Sequence, residues 1–381
     1  MGNKKQYIVI TPFFPSDNSH VGSYIYDQVK TIIDLTNYDV KVIKVASIFS
    51  FEKDYFFKGI EVKIFKMLDF PFFIFPGIFN WVNSMMIKKF FNRNKYFENL
   101  SIIHAHVCYP SAYLANAIKY NRKVKTIIQH HGIDVLQLLN GRFSFLTKLQ
   151  NDFIRKRTLN QLNMIDLNVS VSNRVKNELH TFDNYKPKKE YILYNGVDRF
   201  KFYPISGLKK TDKFQIGCVA NFWKIKDQIS LIKAVEIMIA DGFKDVRLRL
   251  IGEGVELEKC KKYVLYKKLE KYIFFEKEMK HENLNNFYNE LDLFVLPSYY
   301  EALGCVYLEA WAANIPVISV EGQGFSELVS ENEKENLIAK KQSPESLKDR
   351  IFEEYKKRRI YVFNEKYDIR NTISEFVKLY L

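Results

Sequence analysis

The sequence predicts an α/β chain of two Rossmann-like, doubly wound domains in tandem. Three observations carry that expectation. Short β-branched runs alternate with helix-length segments, the pattern of βαβ units and a parallel sheet. The rhythm breaks near residue 200 and starts again. A length of 381 residues is long for one core and comfortable for two.

In the first half the strand candidates are YIVIT (Tyr7–Thr11), DVKVIKV (Asp39–Val45), SIIHA (Ser101–Ala105), VKTIIQ (Val124–Gln129) and DLNVS (Asp166–Ser170). Their Val and Ile content suits strands buried on both faces. Between them, SYIYDQVKTIIDL and SAYLANAIKY carry apolar residues at helical spacing. The second half repeats the pattern with FQIGCVA (Phe214–Ala220), VRLRLIG (Val246–Gly252), YIFFE, LDLFVLP (Leu291–Pro297) and IPVISV (Ile315–Val320). Its helix candidates are DQISLIKAVEIMIA and ELEKCKKYVLYKK.

Between the halves lies YNGVDRFKFYPISGLKKTD, with an Asn195-Gly196 step and then Pro204 and Gly207. Turn formers at this density mark a boundary. The expected division is therefore 1–200 and 201–365, followed by a terminal helix over 366–381. That helix, YDIRNTISEFVKLYL, is amphipathic and needs a surface for its apolar stripe; packing back on the N-terminal domain would supply one.

Composition narrows the class. With 47% hydrophobic and 27% charged residues the chain reads as globular. Cys108, Cys218, Cys260 and Cys305 show no CxxC spacing, which favours a reducing cytoplasm. The opening MGNKKQYIVITPFFP has too short an apolar run for a leader and reads as a first strand. FPFFIFPGIFNWVNSMMI, Phe70 to Ile87, is about long enough to span a bilayer. Pro71, Pro76, Asn80, Asn83 and Ser84 argue against a span, so a soluble or peripheral protein is expected.

The charge is lopsided. Residues 1–205 carry 29 Lys and Arg against 16 Asp and Glu, whereas residues 206–381 carry 29 against 28. A half so basic attracts an anionic partner: a membrane surface, nucleic acid or a phosphorylated substrate. No nucleic-acid module or interleaved basic and aromatic motif accompanies it, so no nucleic-acid partner is expected. PFFIFPGIFNWVNSMMIKKFFNRNK has two readings. It is an apolar helix closing the first core, or an interfacial element whose Phe and Trp sit at headgroup level while Lys88, Lys89, Arg93 and Lys95 meet anionic lipid.

The chemistry concentrates in PSYYEALGCVYLEAWAANIPVISV, Pro297 to Val320. LDLFVLP is a buried strand, SYYEALG follows its carboxyl end, and CVYLEAWAAN is a helix. The helix start near Leu303, Gly304 and Cys305 offers free N–H groups and a positive dipole end, an anion site suited to a diphosphate. Glu301 and Glu309 do not suit a glycosidase pair. On one helix their Cα atoms would lie about 12 Å apart along the axis, and both would approach from one side, whereas such pairs flank the scissile bond. Two anchors on one long ligand fit better; a loop glutamate and a helix-surface glutamate remain the bland alternative.

The strand His104-Ala105-His106 puts two imidazoles on one face, and His130-His131 adds two more. Zinc uses such ligands, but strand-end histidines more often face a cleft or are satisfied in a core. Asp134 suits a helix cap, and Glu327 a helix start.

These segments together resemble retaining glycosyltransferases of family four, with the GT-B fold. PSYYEALGCVYLEAWAANIPVIS is similar to the family hallmark: Pro-Ser, Glu, seven residues, Glu-Ala, then Pro-Val. TPFFPSDNSHVGSYIYDQVK resembles the N-terminal glycine loop and helix, IIHAHVCYPSAYLA and TIIQHHGIDV the next strand ends, LYNGVDRFKFYP the interdomain segment, and LIGEGVELEK and LDLFVLPS later strands. The resemblance implies a UDP- or GDP-linked nucleotide-sugar donor, with Glu309 at the ribose hydroxyls and Glu301 at the donor sugar. It implies that the backbone at Ala302–Cys305, including Leu303 and Gly304, and the Lys226 side chain face the diphosphate. Gly22 would approach the leaving phosphate, and His131 the transferred sugar, with His130 turned into the core.

The chain also departs from the family. Asn221 stands where an arginine is usual, leaving Lys224 or a residue of the N-terminal domain to replace it. Asp227 follows Lys226 where glycine is usual, and a glycine near Lys277 is absent.

The expected activity is hexosyl transfer to a glycan or lipid-linked oligosaccharide acceptor, as in bacterial capsule or O-antigen assembly, at the inner face of the cytoplasmic membrane. No Asp-x-Asp motif is present, so no metal or other cofactor is expected. A sugar phosphorylase or nucleotide-sugar epimerase of the same fold is the alternative enzyme, and a basic nucleic-acid-binding protein the alternative from another class.

Overall fold

The computed structural model describes residues 4–69, 75–120, 122–132, 147–208, 211–359 and 361–381. Phe70 and Pro71 of the apolar segment, and the Asp134 cap position, lie outside the described residues. The chain divides into two compact units, Met1–Tyr194 with Thr372–Leu381, and Asn195–Asn371.

The first unit is built on an eight-stranded sheet. Its strands are β1 (Gln6–Thr11), β2 (Asp39–Ser47), β3 (Tyr55–Phe57), β4 (Ile60–Met67), β5 (Leu100–His106), β6 (Lys125–His130), β7 (Leu167–Ser170) and β8 (Glu190–Ile192). Their order is β3-β4-β2-β1-β5-β6-β7-β8. All neighbours run parallel except the β3–β4 hairpin at one edge. Tyr7 to Ile10 of β1, Ile103 of β5 and Ile127 and Ile128 of β6 are fully buried, as central strands covered on both faces must be. The sequence pattern missed β3, β4 and β8.

The described helices of this unit are α1 (Ser23–Leu35), α2 (Asn80–Arg93), α3 (Tyr113–Lys119), α4 (Thr147–Met164) and α5 (Asn173–His180). Helix α1 coincides with the expected SYIYDQVKTIIDL and buries Ile25, Val29 and Ile32 one turn apart. Helix α2 divides its apolar residues: Ile87 and Phe91 are fully buried, while Trp81 is 74% exposed and Met85 is 48% exposed.

The second unit holds a six-stranded, all-parallel sheet of β9 (Phe214–Val219), β10 (Val246–Ile251), β11 (Ile273–Glu276), β12 (Leu293–Val295), β13 (Val317–Val320) and β14 (Ile338–Ala339). Its order is β11-β10-β9-β12-β13-β14. The connecting helices include α6 (Gln228–Ala240), α7 (Leu257–Tyr266), α8 (Leu284–Asn289), α9 (Cys305–Ala312), α10 (Glu331–Leu337) and α11 (Pro344–Lys357). Strand order steps outward from β9 in both directions, so the carboxyl ends of β9 and β12 flank the switch point where doubly wound sheets take ligands.

The last helix, α12 (Ile369–Tyr380), begins in the second unit and ends in the first. Its Phe376 is fully buried, with its ring 6.1 Å from His104 and 5.9 Å from Tyr191. Lys125 donates to the Tyr380 carbonyl and Tyr38 to that of Leu381. Among the described residues no helix is long and apolar enough to cross a membrane.

Candidate active site

In the second unit, three loops meet at the carboxyl ends of β9, β12 and β13. The loop after β12 is fixed by its neighbours: the Tyr299 N–H donates to the Ile225 carbonyl at 3.0 Å, and the Glu301 N–H to the Gln323 side-chain oxygen at 2.6 Å. Gln323, 1% exposed, donates in turn to the carbonyls of Tyr299 and Glu321. The Gly324 N–H donates to the Glu301 carbonyl at 3.2 Å. One buried amide side chain therefore ties the glutamate-bearing loop to the loop after β13.

Helix α9 starts at Gly304, whose φ of +84° is a conformation that glycine adopts without strain. A Cβ there would also lie 2.5 Å from the Tyr307 ring. The Tyr307 hydroxyl reaches back to the Leu296 carbonyl at 2.7 Å, pinning the helix to the end of β12. The first turn, beginning at Cys305, sits at the positive end of the helix dipole, and its Tyr307 N–H donates to the Gly304 carbonyl at 3.1 Å. Leu303 is 1% exposed and belongs to the core beneath the helix start. The Asn195 side chain donates to Cys305 Sγ at 3.5 Å.

Lys226 and Glu301 form an ion pair, both largely shielded from solvent. Lys226 closes the 3₁₀ turn Lys224–Lys226 after β9, and the following Asp227 sits at φ 53°. An aspartate tolerates the left-handed conformation better than most residues, which accounts for the missing glycine. Burial pushes the Asp227 carboxyl up, with Ser230 hydrogen bonds acting the other way. Asn221 is exposed; its carbonyl accepts from the Trp223 N–H and from the Gln228 side chain. Lys224, three residues on, is exposed as well.

Glu309, one turn into α9, is 6% exposed. His281 Nε2 lies 3.1 Å from its Oε1, and the Tyr288 hydroxyl donates to its Oε2 at 2.8 Å. Burial, and then the Glu309 charge beside it, hold the Tyr288 phenol well above its ordinary range, so it remains a proton donor.

In the first unit, His131 follows β6, with its Nε2 2.9 Å from His106 Nδ1 and its ring 4.8 Å from that of Tyr24. The His104, His106 and His131 rings form a stack, with neighbouring centroids 4.4 and 5.2 Å apart. Tyr7 closes the stack, its hydroxyl 2.6 Å from His104 Nδ1. Among the described residues, no group of three His, Cys, Asp or Glu side chains is placed to hold a metal ion. His130 is fully buried against Asn168 and Cys108. Gly22, at φ +89°, opens α1 against the backbone of Phe13, where a Cβ would lie 2.8 Å from the carbonyl. Glu327 ends a 3₁₀ turn, Gly324–Glu327.

The structure thus gathers Lys226, Glu301, Leu303, Gly304, Cys305 and Asn221 at strand ends of the second unit, with Glu309 along the same helix. Gly22 and His131 lie in the first unit. Sequence reasoning missed Gln323, His281 and Tyr288. The glutamine between two glycines after β13 was a visible signal; the other two are evident only once α8 is seen beside α9.

Comparison with known proteins matches these units to two family models. Residues 21–199 match Glycosyltransferase Family 4 and residues 200–366 match Glycosyl transferases group 1. The lipopolysaccharide core biosynthesis mannosyltransferase LpsB of Rhizobium meliloti is 32% identical over 155 residues, covering 36% of this chain and 42% of that protein. An uncharacterised glycosyltransferase of Methanocaldococcus jannaschii is 22% identical over 95% of both chains. The structure of HepE from Anabaena, in complex with UDP and glucose, superposes with a TM-score of 0.72 at 15% identity, covering 98% of each chain. That likeness shows the GT-B fold. With the two models adjoining and spanning residues 21–366, the chain belongs to the family 4-like, group 1 glycosyltransferases.

Proposed function

We propose that the protein is a retaining, metal-independent glycosyltransferase that moves a sugar from a UDP- or GDP-linked donor to a glycan or lipid-linked acceptor in surface polysaccharide assembly. The observation that carries this is the arrangement around α9: a helix start opened by Gly304, the Lys226–Glu301 pair beside it, and a buried carboxylate, Glu309, along the helix. Departure of a nucleoside diphosphate develops negative charge, which fixed N–H groups and a lysine stabilise without reorganising. Glu301 then serves the donor sugar and Glu309 the ribose. Lys224 is the described cation nearest in sequence to stand in for the arginine missing at Asn221. On resemblance alone, His131 is assigned to the transferred sugar and Gly22 to the leaving phosphate.

The acceptor reading is supported by the basic first half and by α2. A groove of about 890 Å³ beside that helix is lined by Lys53, Lys63, Lys66, Lys89 and Arg93, against Glu52 and Asp54. Trp81 and Met85 are exposed on α2 itself. This is the make-up of a peripheral element at an anionic membrane face.

The test is a thermal-shift panel of nucleoside diphosphates and their sugars, followed by calorimetry. One diphosphate should raise the melting temperature, and Glu309→Ala should abolish its binding; unchanged affinity in that variant would refute the assignment. Transfer should survive EDTA. Sugar phosphate made from donor plus inorganic phosphate, or an epimerised donor, would point instead to a phosphorylase or epimerase.

A further inference from the structure

The Glu309 carboxylate is held from two sides by elements distant in sequence. His281 lies in the 3₁₀ turn His281–Asn283 and Tyr288 in α8, and each addresses a different oxygen. Phe202, 2% exposed, backs both rings, edge-on to His281 at 5.1 Å and 5.9 Å from Tyr288. The two donors cannot shift without disturbing that packing.

A glutamate's terminal torsion is broad and roughly two-fold. A single donor leaves the carboxylate free to swing about that bond; one donor on each oxygen fixes its plane. An ionised carboxylate has about four lone-pair sites. Two are taken here, leaving one on each oxygen. Two acceptors with a fixed separation match the two hydroxyls of a vicinal diol, which donate side by side.

We infer that His281 and Tyr288 are positioning residues for the donor: they hold the Glu309 carboxylate in the plane that accepts both ribose hydroxyls, and so set a preference for ribonucleotides. This rests on the reading of Glu309 as the ribose anchor. The preorganised carboxylate loses little freedom when the diol arrives, which is where the preference originates. A mere structural tie between α8 and α9 would act equally on every nucleotide.

That difference supplies the test. Calorimetry compares UDP with 2′,3′-dideoxy-UDP, and GDP with its dideoxy form, on the wild type, His281→Leu, His281→Gln and Tyr288→Phe. The wild type should favour the diol-bearing nucleotide by about tenfold or more, the worth of a hydrogen bond to a charged group. His281→Leu and Tyr288→Phe should each collapse that ratio several-fold, to within about threefold of unity. His281→Gln, whose amide nitrogen can replace Nε2, should retain it. Melting temperatures measured alongside identify variants that are folded. A wild-type preference that folded His281→Leu and Tyr288→Phe leave intact would overturn the clamp alone. A wild type that binds both nucleotides alike would overturn the ribose reading, and the clamp with it.

Discussion

His104 and His106 are buried, and their burial is the first cause of their lowered basicity. It brings His104 down to about 3, with His131 nearby acting the same way, and His106 well below the ordinary imidazole range. A folded-state value below the unfolded value means that the unfolded chain binds more protons between the two. Stability from these residues is therefore complete above about pH 6.5, the unfolded value, and is lost as pH falls toward 3. Between pH 7 and pH 5 His104 should remove about 2 kcal/mol of unfolding free energy, and His106 acts in the same direction. Denaturant melts at the two pH values check this; His106→Leu should flatten the slope, and an unchanged slope would show that His106 is not the titrating group. The same histidines show what residue-level reading of the sequence can reach. That two imidazoles share a strand face was legible, because alternation along a strand is local. That they stack on His131 and end at Tyr7 was not, because this needs the register of β1, β5 and β6.

Helix α12 is the element whose removal should be felt most directly. Phe376 lies among His104, Tyr191 and Tyr380, and Ile373 is 2% exposed. Phe376→Ala should cost about 3–5 kcal/mol, transfer free energy plus the cavity left behind. A loss below about 1 kcal/mol in a chemical melt would mean that the site collapses around the smaller residue. At this scale the long elements were legible and the short ones were not. Helices α1 and α6, at 13 residues each, are long enough for helical spacing to stand out, and β1, β9 and β10 are unbroken apolar or alternating runs. Strand β4 alternates inward Val62 and Ile64 with outward Glu61 and Lys63, so its charges obscured a half-buried strand. Strands β3, β8 and β14 are two or three residues long and exist only through pairing with a neighbour. Likewise, a loop leaving the carboxyl end of β12 and opening a helix at Gly304 was legible. Its fastening by Gln323 was hidden, since the partner arrives from beyond β13.

The whole molecule carries a net charge of +14, nearly all of it in residues 1–205. Attraction to an anionic surface follows from the sum of these charges rather than from any single contact, and it is screened over about 8–10 Å at physiological salt. Sedimentation with vesicles should therefore show binding to phosphatidylglycerol-containing membranes that weakens steeply between about 50 and 300 mM salt, and little binding to phosphatidylcholine. Binding that is indifferent to both lipid charge and salt would refute the peripheral reading. Helix α12 has a further effect at this scale. The first unit is completed by residues 372–381, which the ribosome makes only after the whole of residues 195–371. Domains ordinarily fold as they emerge, the N-terminal one first. Here the earlier unit must wait, with the Phe376 site on its surface still unfilled, while the later unit is synthesised and can close. Order of synthesis and order of completion are thus reversed, and a released chain truncated before residue 372 should carry a folded second unit beside an unfinished first.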